Sequence, residues 1–175
     1  MTPSDAPPFA DLIADCHRSA VFLQMRDHYA IREEAEMFGT WLRTGRADTN
    51  PASDFWAPWV ETISGAVARG VVVRRARVVS EPVSDCIRHM HANAAVNIHA
   101  GEKVRWLPRP QASDLALPGN DYWLFDDRVI RWNHFSGDGA WVAVEDSSEP
   151  SAAALCRSAF DAVWERATPH DRFTP

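Results

Sequence analysis

Residues 71–79 read Val-Val-Val-Arg-Arg-Ala-Arg-Val-Val. β-Branched side chains fit a pleated surface, so this run predicts a strand. Its period of two puts Arg75 and Arg77 on one face, and Val72 and Arg74 on the other. Ser80-Glu81-Pro82 breaks the strand, with proline placed for the first turn of a helix. That helix is predicted to run to about Ala100 and to stop at Gly101. Lys103–Leu107 is a second short strand, ended by Pro108 and Pro110. The unit spans about 37 residues, long enough for a right-handed crossover between parallel strands.

On the N-terminal side, residues 1–8 hold three prolines and read as a loose tail. Phe9, Leu12, Ile13, Cys16, Ala20 and Leu23 recur at three- and four-residue steps, which predicts a helix from about Phe9 to Tyr29. A second helix is predicted over Ile31–Thr44, with Glu33, Glu34 and Glu36 near its start and Gly45 as terminator. Residues 46–54 read as a loop, and a third helix follows from Phe55 to Gly70, with Pro58 in its first turn.

On the C-terminal side, residues 109–120 form a loop. Tyr122–Phe125 and Val129–Trp132 flank Asp126-Asp127, a hairpin pattern in which Trp123 and Trp132 are placed to meet. After the turn at residues 136–139, Ala140–Val144 makes a third strand of the meander. Pro150 opens a last helix that reaches Ala167. The expected fold is α/β (α+β): a mixed sheet of about five strands with packed helices, preceded by a helical N-terminal segment. One domain is expected over residues 9–175, with a helical part at 9–70 and a β-α-β-β-β-α core at 71–170.

With 46% hydrophobic and 24% charged residues, the chain can build a core and does not read as disordered. No apolar run reaches membrane-span length, and the start lacks the pattern of a signal peptide, so a cytoplasmic protein is expected. The net charge of -6 argues against a dedicated nucleic-acid binder. The charge is segregated: residues 69–109 carry eight basic and three acidic side chains, between two acidic flanks. The segment reads either as an anion-attracting patch or as arginines paired with those flanks. Cys16, Cys86 and Cys156 are widely spaced and suggest buried thiols. His89, His91 and His99 lack metal-ligand spacing, so neither a metal nor a cofactor is expected.

Two clusters carry candidate chemistry. Arg74, Arg77, Glu81, Asp85 and Arg88 read as an anion site at the carboxyl end of the first strand, or as an ion-pair network capping the helix. Arg105 and Trp123 join Arg74, Arg77 and Glu81 as candidate ligand-binding residues. Asp126, Asp127, Asn133, His134 and Asp138 offer carboxylates beside a histidine, as acid–base chemistry requires, but also suit ordinary turns. Asp126, His134 and Glu81 are the candidate catalytic groups.

Phe22–Tyr29 (FLQMRDHY), Arg74–Asp85 (RRARVVSEPVSD), Ala100–Pro108 (AGEKVRWLP) and Asp121–His134 (DYWLFDDRVIRWNH) resemble an actinobacterial family of uncharacterised domains, the DUF6879 family. The resemblance implies an α/β domain of Streptomyces-like bacteria, found near helix-turn-helix regulators, and implies no reaction. A fainter similarity to the phospholipase D superfamily lies in Leu124–Ile130, where a strand ending in Asp turns into another strand. That superfamily uses a histidine nucleophile and a lysine two residues on. The one lysine here is Lys103, and no His-x-Lys occurs. The leading expectation is therefore an interaction or ligand-sensing module linked to transcriptional regulation, with a protein partner such as a helix-turn-helix regulator or a small anionic ligand. The alternative is a degenerate or divergent phospholipase D-like enzyme acting on an anionic, phosphate-containing substrate.

Overall fold

The computed structural model describes residues 6–175. Of the tail expected over residues 1–8, residues 1–5 lie outside the described residues. Pro7 is tied down, because its carbonyl accepts a hydrogen bond from Arg131 Nη2 at 2.6 Å.

Seven strands form one mixed sheet in the order β6-β5-β4-β1-β2-β3-β7. β1 (Ser19–Gln24), β2 (Val72–Val79) and β3 (Lys103–Pro108) run parallel. β4 (Asp121–Phe125) lies antiparallel to β1, and β5 (Val129–Phe135) and β6 (Trp141–Ser147) continue as a meander. β7 (Thr168–Pro169) closes the far edge against β3.

The crossover, hairpin and meander stand where the sequence pattern places them. Helix α4 (Asp85–His99) fills the crossover. It begins after Ser84 rather than at Pro82, because the Ser84 hydroxyl accepts from the Ile87 N–H at 3.1 Å and Asp85 adds charge to the first turn. Gly101 follows at φ 102°, where a Cβ would stand 3.0 Å from Val67, so glycine suits both the turn and the close approach. Asp126 and Asp127 both take positive φ, as the two-residue turn of a twisted hairpin demands. Trp123 and Trp132 do not meet across that hairpin. They face opposite sides, Trp123 paired with Arg131 and Trp132 with Tyr122.

The first third departs most from the expected helices. α1 (Phe9–Ala14) is short, and residues 19–24 form β1 at the centre of the sheet. This strand is covered on both faces, so Ala20, Val21, Leu23 and Gln24 are buried together. A strand without polar alternation also satisfies helical spacing, which is why periodicity misreads it. With β1 and the short β7 added to the expected strands, the sheet has seven rather than about five. α2 (Ala35–Thr44) ends at Gly45 in the left-handed conformation, and α3 (Ala57–Ala68) follows.

α5 (Pro150–Arg166) covers one face of the sheet. There Leu23, Val78, Leu107, Tyr122 and Leu124 pack with Cys156, Phe160 and Val163. Full burial of a side chain such as Phe160 contributes about 2–3 kcal/mol. On the opposite face, α1 and α3 pack over Val73, Trp123 and Phe125, while α4 packs over Val79, Val104 and Trp106. Where these two clusters meet, the centre of the sheet carries polar side chains beneath a cavity. All three cysteines are buried and free. Among the described residues, no helix is long and apolar enough to cross a membrane.

Candidate ligand site

The cavity holds about 400 Å³ on the sheet face away from α5. Its floor is made of cross-strand rows. Arg75, Phe22 and Trp123 follow one another across β2, β1 and β4, and Arg77 and Gln24 stand one row further along. The strand parity that turns Arg74 toward α5 turns Arg75 and Arg77 here. α4 supplies Met90, Asn93 and Asn97 from one helical face, and α3 supplies Trp59. Tyr29, Ile31, Glu33, Glu34, Phe55 and Trp56, with Asn133 and Phe135 of β5 and Trp141 of β6, complete the wall.

Arg75 is fully engaged. Its Nε and Nη2 donate to the two Glu102 oxygens at 2.8 and 3.1 Å, and its Nη1 donates to Gln24 Oε1 at 3.0 Å. Trp59 Nε1 donates to Glu102 Oε1 and Asn97 Oδ1. The guanidinium also lies 4.9 Å from the Phe22 ring centroid and 5.6 Å from those of Trp59 and Trp123. The Glu102 side chain has 0% exposure. A buried charge pair of this kind holds only with such complete hydrogen bonding.

Arg77 is as deeply buried, at 4% exposure, yet has no such partner. Nη1 points at Met90 Sδ at 3.2 Å, and the guanidinium lies 5.2 Å from the Trp106 ring centroid. Nε has no acceptor, and among the described residues no carboxylate lies within 4.0 Å of the group. Burial, helped by the neighbouring Arg75 charge, pulls its pKa down to about 10. Asn93 Oδ1 and Asn133 Nδ2 are also buried without partners. Such a lone atom costs about 1–3 kcal/mol, so native proteins hold few of them. Five such side-chain atoms occur among the described residues, and three of them belong to residues that line this one cavity, Arg77, Asn93 and Asn133. At its rim, burial pushes the Glu34 carboxyl above the usual range against the pull of Arg77 and Arg75.

Of the candidate ligand-binding residues, Arg77 and Trp123 line the cavity. Arg74 and Arg105 lie on the α5 face, both against Trp164. Glu81 is exposed in the connection between β2 and α4. The proposed network of Arg74, Arg77, Glu81, Asp85 and Arg88 does not assemble; Asp85 pairs with Arg88 at 2.9 Å, and Arg74 faces Asp161 at 4.0 Å.

The candidate catalytic groups stand apart. Asp126 lies at the amino end of β1, where its carboxylate accepts from the N–H groups of His17, Arg18 and Ser19. Burial alone would raise its pKa, but these bonds outweigh it and hold the pKa at about 2. His134 pairs with Glu145 across β5 and β6 at 3.2 Å. Asp126, His134 and Glu81 do not line the cavity. Among the described residues, no group of three or more His, Cys, Asp or Glu is placed to hold a metal ion.

Sequence reasoning missed Gln24, Trp59, Asn93 and Asn97, and it grouped Asn133 with Asp126 and His134 rather than with Arg77. The first lies on the unrecognised strand β1. Asn93 and Asn97 did carry a signal, as polar positions four apart on a helix face that should have been apolar.

The family described as "Domain of unknown function (DUF6879)" matches residues 7–175. Among curated proteins nothing matches the chain. Among solved structures, a phospholipase D family member, Nuc from Salmonella typhimurium, superposes with a TM-score of 0.50 at 12% identity, over 91% of this chain and 86% of that one. At this identity the likeness concerns the fold alone.

Proposed function

The chain belongs to the DUF6879 family, and from that premise, which brings no reaction with it, we propose a non-enzymatic ligand-sensing module that takes a small anionic ligand at Arg77. The observation that carries this reading is the Arg77 guanidinium, buried, facing a cavity and without a carboxylate. Desolvating a charge costs several kcal/mol, and an unpaired one persists where something offsets that cost. An incoming anion supplies the missing acceptor. A helix-turn-helix regulator as the reader of the bound state belongs to this proposal through the family resemblance, and a cytoplasmic setting belongs to it through the sequence pattern alone.

The test is thermal unfolding of the purified chain with acetate, benzoate or inorganic phosphate, each titrated upward. A ligand at ten times its Kd should raise Tm by roughly 3–5 °C. Arg77→Met should abolish the rise. A flat Tm across the three anions counts against the reading.

A second reading is a divergent phospholipase D-like enzyme, favoured by the shared fold. Hydrolysis of bis(4-nitrophenyl) phosphate tests it. The sensing module leaves the rate at the buffer level, and turnover that disappears in Arg77→Met would move the function to the enzyme.

A further inference from the structure

We infer that the ligand is a planar aromatic monocarboxylate, with its carboxylate on Arg77 and a hydrogen-bond acceptor at its far end. This rests on the reading of Arg77 as an anion site, and three independent features give the chemistry.

The first is charge. Arg75 is neutralised by Glu102, so Arg77 is the one unpaired cation lining the cavity among the described residues. Glu33 and Glu34 share the same rim, and α4 presents its middle, from Met90 to Asn97, rather than its N-terminus. A phosphate monoester would bring two charges against one cation and two acids. A carboxylate brings one, and its planar pair of oxygens suits a guanidinium edge.

The second is shape. Phe22 and Trp123 stack on each other with centroids 4.5 Å apart at 13°, so the floor beside the Arg77 row turns aromatic edges toward the cavity. Trp56, Trp59 and Phe135 line the same space. An aromatic ring packed edge-to-face among these rings gains about 0.5–1.5 kcal/mol beyond its buried area, which is roughly three- to tenfold in affinity.

The third is length. Asn133 stands on β5, three strand positions from Arg77 on β2. At about 4.8 Å per strand, the two backbones are about 14 Å apart. Its unpartnered Nδ2 calls for an acceptor at the end of the ligand away from the carboxylate. A bicyclic ring with a distal oxygen bridges the gap once the arginine side chain has taken its share.

Isothermal titration of the whole chain with three probes of one skeleton tests this: 6-hydroxy-2-naphthoate, decahydro-2-naphthoate and 2-naphthyl phosphate. The expected order places the hydroxynaphthoate about tenfold tighter than each of the others. Arg77→Met and Arg77→Lys should each weaken it by about tenfold or more, and Asn133→Ala by about threefold. Arg77→Lys keeps the charge, so it decides the matter if the methionine variant does not fold. Equal binding of the saturated acid overturns the aromatic assignment, and tighter binding of the phosphate overturns the carboxylate. In both cases the anion site itself survives if Arg77→Met still weakens binding. No binding of the hydroxynaphthoate at millimolar concentration overturns the inference. The anion site falls with it only if acetate, benzoate and inorganic phosphate also leave Tm unchanged.

Discussion

Arg74 and Arg77 leave the same strand on opposite faces, and the two faces treat a guanidinium differently. On the α5 face, Arg74 lies over the rings of Phe160 and Trp164, near Asp161. Its Nε also lacks an acceptor, but the side chain keeps 26% exposure, so its head reaches water. Arg105 stacks on Trp164 and donates to its carbonyl at 2.8 Å. That face is closed by packing, and its arginines cover apolar surface. On the cavity face the arginines are cut off from water and must find partners inside the protein. Arg75 finds a carboxylate, and Arg77 finds only the Met90 thioether and the Trp106 ring. The closed face explains itself by burial, whereas the open face holds buried polar atoms without partners among the described residues.

The largest effect should come from the partnered member of the cavity face. Arg75→Met strands Glu102 without its cation, and is expected to lower stability by about 3–5 kcal/mol in urea unfolding. If the loss is below about 1 kcal/mol, the contrast between Arg75 and Arg77 disappears. Next, Leu23→Ala hollows the α5 face and should cost about 2–5 kcal/mol without altering anion-dependent Tm shifts. A lost ligand response in that variant would show that the two faces are not independent.

Asp126 gives a smaller effect with a pH signature. Its folded pKa of about 2 lies below the unfolded carboxylate value, so its contribution is complete above about pH 4 and is lost as pH falls toward 2. Asp126→Asn should cost about 1–2 kcal/mol at pH 7 and should flatten stability between pH 4 and 2. Unchanged acid unfolding would mean that the N–H groups of His17, Arg18 and Ser19 do not depend on this carboxylate. The smallest effect belongs to Arg74→Gln. Its distant ion pair and ring contacts are each worth about 1 kcal/mol or less, and melting should show little change.

The parallel unit and the hairpin were legible because their signals are local. Five valines around three arginines mark β2, Gly101 ends α4, and Asp126-Asp127 makes the turn. β1 was not, because burial on both faces erases the alternation that distinguishes a strand. That one omission hid much of the site. Without β1, Phe22 and Gln24 have no place beside Arg75 and Arg77, and the sheet face that the arginines share has no floor. Parity along β2 already separated Arg74 from Arg77, yet sequence alone could not show which face would be covered by α5. The partnering of Arg75 by Glu102 is equally tertiary, since 27 residues and a whole crossover helix separate them. Asp126 and His134 read as chemistry because carboxylates and histidines are chemically able. The fold uses the first to anchor backbone N–H groups and the second in a pair between strands.

The most direct measurement is equilibrium unfolding of Arg77→Met beside the wild type, in urea and without added anions. If Arg77 is kept for a ligand, the variant is as stable as the wild type or more so, because it loses a desolvated charge that had no pair and gains a side chain able to fill the space. A loss of about 3 kcal/mol or more, matching that of Arg75→Met, would contradict this and make Arg77 a structural residue.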